Sequence, residues 1–207
     1  MRSDLDLLEA WRANDQSAGE ELFARYYPLL LRFFANKVPV EPTDLIQETM
    51  LACVDGQHRL RETEKFRAFL FSIAYNKLRD FYRRAQVGEE PVDMASHASA
   101  DLAPGPSTMM GRDEQQQLML RALRRIPVEY QVLLELFYWE DATSAEISVL
   151  MDVPHSTIRT RIRRARQLLE EALAESANDP RVLERTRTDL DGWAAKIRSA
   201  HQVSAAL

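Results

Sequence analysis

The chain has 207 residues, 45% of them hydrophobic and 29% charged, with a formal net charge of −5. That balance fits one medium or two small globular domains and excludes a disordered or fibrous chain. No run of roughly 18 apolar residues offers a membrane span, and the acidic start at Asp4 and Asp6 does not read as a signal peptide. The single Cys53 excludes an internal disulfide and a thiolate zinc cluster, so the expectation is a cytoplasmic protein.

In the first half, Leu22, Phe23, Tyr26, Leu29, Leu30 and Phe33 recur at three- and four-residue steps, which predicts an amphipathic helix. Pro42 and Asp44 open a second helix, LIQETMLA, with Leu45, Met50 and Leu51 offered to a core. Cys53 reads as a small buried hydrophobe. After GQHRLRETEK, from Gly56 to Lys65, a third helix runs from Phe66 to Arg84, with Phe66, Phe69, Leu70, Ile73, Leu78 and Phe81 as its apolar stripe. That segment mixes Lys77, Arg79, Arg83 and Arg84 with Phe69, Phe71, Tyr75, Phe81 and Tyr82. Basic charge follows a phosphate backbone and aromatic faces stack on unpaired bases, a combination suited to holding a single strand. Spacing assigns Phe66, Phe69 and Phe81 to the core and leaves Tyr75, Asn76 and Tyr82 open.

Residues 85–113 hold three prolines (Pro91, Pro104, Pro106), no aromatic residue and the acids Glu89, Glu90, Asp93 and Asp101. Such a composition cannot pack a core, and it predicts a flexible acidic linker. Domains are expected at 1–84 and 114–173, with a tail at 174–207. Strand signals are nearly absent, so the fold class is all-α, two small helical domains.

Pro127 suits the first turn of a helix, whose buried side would be Val132, Leu133, Leu136 and Phe137. Thr143 and Glu146 have the spacing of a capping box ahead of a short helix, SAEISVLM, which ends at Asp152-Val153-Pro154. A long helix follows at once and runs to about Leu173. Short helix, tight turn and long basic helix make the helix-turn-helix plan. At 100° per residue, Ile158, Ile162, Ala165 and Leu169 face inward. Ser156, Thr160, Arg163 and Gln167 face outward, with Arg159 and Arg164 on the shoulders. Hydroxyl, amide and guanidinium groups are the types that meet base edges and phosphates in a major groove. Arg161 projects near the buried side and is expected to pair with an acid such as Glu146. In the tail, Leu190, Trp193, Ala194 and Ile197 share one face of a short amphipathic helix. The four histidines, His58, His97, His155 and His201, are scattered without metal-ligand spacing. No phosphate-cradling glycine loop exists. No catalytic residue, metal or cofactor is expected.

Three strings resemble the sigma-70 family. VPHSTIRTRIRRAR, with LRRIPVEYQVLLELFYWEDATSAEISVLMD ahead of it, is similar to the family's carboxy-terminal DNA-binding region. There Val153, Ser156, Thr157, Ile158, Arg161, Ile162, Arg164, Ala165 and Arg166 match. Gln131 and Phe137 stand where relatives often carry a basic residue, and Asp141 where glycine is common. FRAFLFSIAYNKLRDFYRR resembles region 2: Phe66, Arg67, Leu70, Ile73, Ala74, Asn76, Asp80, Arg83 and Arg84 match, and Phe69 replaces the usual tryptophan. In DLIQETML, Asp44, Leu45, Gln47 and Glu48 match the family's D-L-x-Q-E helix. The resemblance spans about Leu5 to Leu173 and points to the extracytoplasmic-function (ECF) type.

That resemblance implies a promoter-specificity subunit of bacterial RNA polymerase rather than an enzyme. Ser156, Arg159, Thr160, Arg163 and Arg164 would meet the −35 element. Asn76, Lys77, Arg83 and Arg84 would meet the −10 element, with the 56–65 stretch near a flipped base. Asp44, Gln47 and Glu48 would dock on core polymerase, whose β′ coiled coil and β flap are the implied partners, beside promoter DNA and an anti-sigma factor. The linker would thread the polymerase cleft. A free-standing dimeric helix-turn-helix regulator is the rival reading; it explains the Arg helix but neither of the other two strings.

Overall fold

The computed structural model describes residues 2–35, 37–56, 58, 66–84, 94, 98, 114–177 and 179–188, with backbone only at 116 and 185–188. All named elements among them are helical, and one isolated antiparallel bridge joins Ala98 to Pro127. The chain divides into two units, Met1–Val87 and Gly88–Leu207. No described helix is long and apolar enough to cross a membrane.

In the first unit, α1 (Asp4–Arg12), α2 (Gln16–Ala35), α3 (Thr43–Gly56) and α4 (Phe66–Arg84) wrap one core. Helix α1 is not marked by periodicity alone. Its start is a capping box, in which the Asp6 N–H donates to Ser3 Oγ at 3.1 Å and the Ser3 N–H donates to Asp6 Oδ2 at 2.9 Å. Helix α1 packs closely on α2. A Cβ on Gly19 would sit 2.7 Å from the Trp11 ring, so only glycine allows that approach. Arg25 binds Asp4 at 2.5 Å, and the Tyr26 hydroxyl donates to the same carboxylate, fixing α1 over α2.

Aromatic side chains fill the centre. Tyr26 meets Phe66 edge to face at 5.3 Å, and Phe33 meets Phe71 likewise at 5.6 Å. Lys37 is fully buried just past the end of α2. Its ammonium donates to the Phe33 carbonyl at 2.6 Å and lies 4.5 Å from the Phe33 ring centre, so the carbonyl and π face replace water. The Tyr82 hydroxyl donates to the Lys37 carbonyl, closing α4 onto the end of α2.

Two stripes differ from their predicted membership. On α3 the buried residues are Leu45, Ile46, Thr49 and Cys53, while Leu51 is 63% exposed and Met50 only half-buried. On α4 they are Phe66, Leu70, Phe71, Ala74, Tyr75, Leu78 and Tyr82, with Phe69, Ile73 and Phe81 half-buried. Both corrections are rotations of the helix about its axis. α4 is aromatic on adjoining faces, so composition leaves the choice of buried face open, and contact with α2 and α3 decides it.

The second unit contains α5 (Glu114–Arg125), α6 (Val128–Leu134), α7 (Ser144–Met151), α8 (His155–Ser176) and α9 (Pro180–Thr188). Pro127 is the N-cap of α6 rather than its first helical residue. A π-helical turn, Glu135–Trp139, prolongs α6. Just beyond its C-cap, Glu140, comes Asp141, whose φ of 52° is the left-handed conformation, which explains why glycine would suit that position. Leu118, Met119, Val132, Leu133, Leu136, Ile147, Ile158, Ala165, Leu169 and Leu173 make the core. Helix α9 packs on α5 and α8. The tail residues expected to form an amphipathic helix, Leu190 to Ile197, lie outside the described residues. Of the expected linker, only Met94 and Ala98 are described. Met94 is buried, and its carbonyl accepts the Glu129 N–H at 3.1 Å.

Candidate nucleic-acid interface

The helix-turn-helix is assembled by local bonds. Thr143 caps α7 through its hydroxyl, which accepts the Glu146 N–H at 3.2 Å, while Glu146 Oε2 accepts the Thr143 N–H at 2.8 Å. Helix α7 stops at Asp152, where φ is 54° and the chain turns left-handed. Across that turn, Ser148 Oγ donates to the Val153 carbonyl at 2.7 Å. Pro154 then N-caps α8, and its fixed φ of −52° directs the chain into the long helix. Ser144 Oγ and His155 Nε2, each the first residue of its helix, lie 2.8 Å apart and join the two helix starts. Sequence reading missed this contact, since neither residue stands out within its own helix.

On α8, Ile158, Ala165 and Leu169 are buried and Ile162 is half-buried. Ser156, Arg159, Thr160, Arg163, Arg164 and Gln167 are all exposed. Thr160 Oγ1 donates back to the Ser156 carbonyl at 3.2 Å. Arg164 lies 3.9 Å from Glu171, a loose pair between solvated side chains that contributes little.

Arg161 behaves structurally, but its partner is Glu129 of α6, not Glu146. Glu146 is committed to the α7 cap, whereas the start of α6 lies against α8 at the Arg161 level. Nothing in the local sequence marks a partner 32 residues away. Arg166 is exposed and lies 5.8 Å from the Tyr138 ring, a cation–π contact to the π turn. Gln131 is buried, its amide donating to the Ile126 carbonyl at 2.8 Å, so it completes a helix junction in the interior.

In the first unit, Asn76, Arg83 and Arg84 are exposed and Lys77 is half-buried on α4. Arg83 pairs with Asp80 at 3.0 Å, one turn earlier. Phe71, Tyr75 and Tyr82 are buried and have no face to offer a base. Phe69 is partly covered by α3, where a Cβ on Gly56 would come within 2.9 Å of its ring. Core packing therefore takes Phe71, Tyr75 and Tyr82 out of the single-strand reading on α4, and leaves the half-buried Phe69 and Phe81 with the charged residues. Of the 56–65 stretch, Gly56 and His58 alone lie among the described residues.

On α3, Asp44 and Gln47 are exposed and Glu48 is half-buried. Spacings of three and four residues put Leu51 and Val54, both exposed, on the same face as Asp44 and Gln47. Glu48 Oε2 accepts a bond from Lys77 Nζ at 3.1 Å, linking α3 to α4. Burial pushes the Cys53 thiol up to about 12 and the Tyr82 hydroxyl likewise to about 12.

Comparison with known proteins identifies the architecture. Residues 22–87 match the family model for sigma-70 region 2, and residues 116–169 match that for sigma-70 region 4. Together these matches span more than half of the chain, which belongs to the sigma-70 family of RNA polymerase sigma factors. Within that family it is of the ECF type. It is 24% identical over 177 residues to the ECF RNA polymerase sigma-E factor of Escherichia coli, covering 81% of this chain and 93% of that protein. It is 25% identical over 183 residues to the RNA polymerase sigma-H factor of Pseudomonas aeruginosa, covering 82% and 93%. Among solved structures, CnrH in complex with the cytosolic domain of CnrY shares the fold with a TM-score of 0.59 at 20% identity, covering 84% of this chain and 99% of CnrH. The sigma factor RpoE of Bartonella quintana, in complex with the anti-sigma factor NepR, gives 0.54 at 21%, covering 75% and 95%.

Proposed function

We propose that the chain directs core RNA polymerase to promoters by reading duplex DNA with its second unit and holding the opened strand with its first. One observation carries this reading. The α8 face opposite the core is a continuous exposed surface of Ser156, Arg159, Thr160, Arg163 and Arg164, standing behind a capped helix and turn. Bidentate guanidinium groups and hydroxyls are suited to base edges and phosphates of a −35 element in the major groove. In the first unit, Asn76, Lys77, Arg83 and Arg84 would hold the −10 strand. Their contribution is charge and hydrogen bonding, since the α4 aromatic rings are largely occupied in the core.

Helix α3 is the proposed dock for core polymerase at the β′ coiled coil. Asp44, Gln47 and Glu48 would bind basic partner groups through charge-assisted bonds, and exposed Leu51 and Val54 would add apolar contact beside them. The β flap is the proposed partner of the second unit. An anti-sigma factor is a further proposed partner, a reading supported by the two similar structures solved with CnrY and NepR. The setting would be the cytoplasm, and the chemistry non-catalytic: binding the unpaired strand favours the open promoter because the ligand-bound state is populated.

The test is reconstitution with core enzyme. Chain plus core should initiate specific transcripts in vitro, and the chain should co-elute with core. Tight duplex binding without any affinity for core would reject this reading in favour of a free-standing regulator.

A further inference from the structure

The stretch joining the two regions makes a specific attachment to the DNA-reading unit at the entrance of α6. Met94 is buried, its carbonyl accepts the Glu129 N–H at 3.1 Å, and Ala98 pairs with Pro127 in an antiparallel bridge. Glu129 is the second residue of α6, and the first-turn N–H groups of a helix lack partners inside it. Pro127 offers no side-chain cap there. The carbonyl of Met94 supplies what the sequence of α6 does not, and the Met94 side chain is buried there.

Glu129 is also held from the other side. Its carboxylate accepts from Arg161 Nη1 on α8. Arg161 follows Thr160 and sits two residues before Arg163, both on the exposed face. One residue is thus gripped at its amide by Met94 and at its carboxylate by the reading helix. Both contacts meet at the same residue in the first turn of α6.

We propose that Met94 and Ala98 are two docking points that position Glu129, and through it Arg161 and the first half of α8, for DNA binding. This rests on the DNA-reading role of α8 proposed above. The joining stretch is then more than a tether: its attachment is one part of the reading unit, and whatever detaches it lowers affinity for duplex. Glu129 and Arg161 are positioning residues, since neither need touch a base.

The test uses the full chain and two readouts, hydrogen exchange at the residue 129 amide and affinity for a labelled mixed-sequence duplex at low salt. Met94→Asp should speed exchange at that amide at least tenfold and weaken duplex binding about fivefold, in the range usual for coupled sites. Met94→Leu should restore both. Glu129→Gln keeps the backbone donor and removes the ion pair, so it should leave the amide protected while duplex binding still falls. An amide at 129 that exchanges as fast in the wild type as in Met94→Asp would overturn the docking. Unchanged duplex affinity in Glu129→Gln would overturn the positioning role. A wild type that protects the amide but has no affinity for duplex would reject the DNA-reading role itself, and the positioning with it, while leaving the docking in place.

Discussion

Lys77 Nζ lies 3.1 Å from Glu48 Oε2, so a residue of the proposed strand-binding set is held by one of the proposed polymerase-docking set. The pair bridges α4 and α3, with Lys77 the more covered partner. Both side chains keep solvent contact, and such pairs contribute at most about 1 kcal/mol, less at high salt. A pair this weak would yield to a stronger basic partner if Glu48 docks as proposed.

The first prediction follows from that weakness. Glu48→Gln should lower the stability of the first unit by under about 1 kcal/mol in a denaturant titration. Gln47→Ala with Glu48→Ala should instead weaken binding of labelled core polymerase by tenfold or more. A stability loss of several kcal/mol would make the pair structural, and unchanged core affinity would remove α3 as the dock.

Cys53 gives a pH prediction. Its side chain is fully buried in α3, and burial raises its thiol from the ordinary 9.0 to about 12. The unfolded chain loses that proton near pH 9, while the folded chain keeps it. The folded state therefore binds more protons above pH 9, and stability must fall as pH rises from there towards 12. Tyr82, raised by burial from 10.0 to about 12, acts in the same direction. Denaturation midpoints of the first unit should be flat between pH 7 and pH 8.5 and drop beyond pH 9; Cys53→Ser should reduce the slope. In the native state the thiol should resist alkylation at pH 8 and react once denaturant is added.

Asp152 tests the turn between α7 and α8. Its φ of 54° is tolerated by a short polar side chain and by glycine, but a β-branched side chain meets the following carbonyl. Asp152→Val should cost about 1–2 kcal/mol of second-unit stability, whereas Asp152→Gly should cost far less. Equal losses in a thermal melt would mean that the Asp152 side chain, rather than its backbone, holds the turn.

Much of this architecture was legible in the sequence because its signals are local. Thr143 and Glu146 are three residues apart, and the cap they predict is present. The α8 faces follow from a fixed angle per residue, and the residues projected outward are exposed. The buried faces of α3 and α4 were harder to read, since apolar residues at Leu51, Phe69 and Phe81 compete with those that win. Which face turns inward depends on α2, and helix spacing does not encode it. Glu129–Arg161, Ser144–His155 and Met94–Glu129 were illegible for the same reason. Each joins residues on different elements; the projection of Arg161 marked it for an ion pair, but nothing in either segment names its partner.

The last prediction concerns the reading surface itself. Arg163 and Arg164 are exposed, Arg163 opposite buried Ala165 and Arg164 on a shoulder, so their removal leaves the packing of α8 intact. Arg163→Ala with Arg164→Ala should change stability by less than about 0.5 kcal/mol, as expected of surface sites. Arg161→Ala should cost more, because Glu129 is only slightly exposed and would lose its partner. If both arginines meet phosphates, the double variant should lower the slope of log affinity against log salt by about 1.8, near 0.9 for each contact. If they read base edges, the slope should hardly change, and discrimination between promoter and mixed-sequence duplex should shrink. Either way, promoter-specific transcription should be lost while binding to core polymerase is retained. Full transcription by the double variant would remove these two residues from the interface and leave Ser156, Arg159 and Thr160 as its remaining candidates.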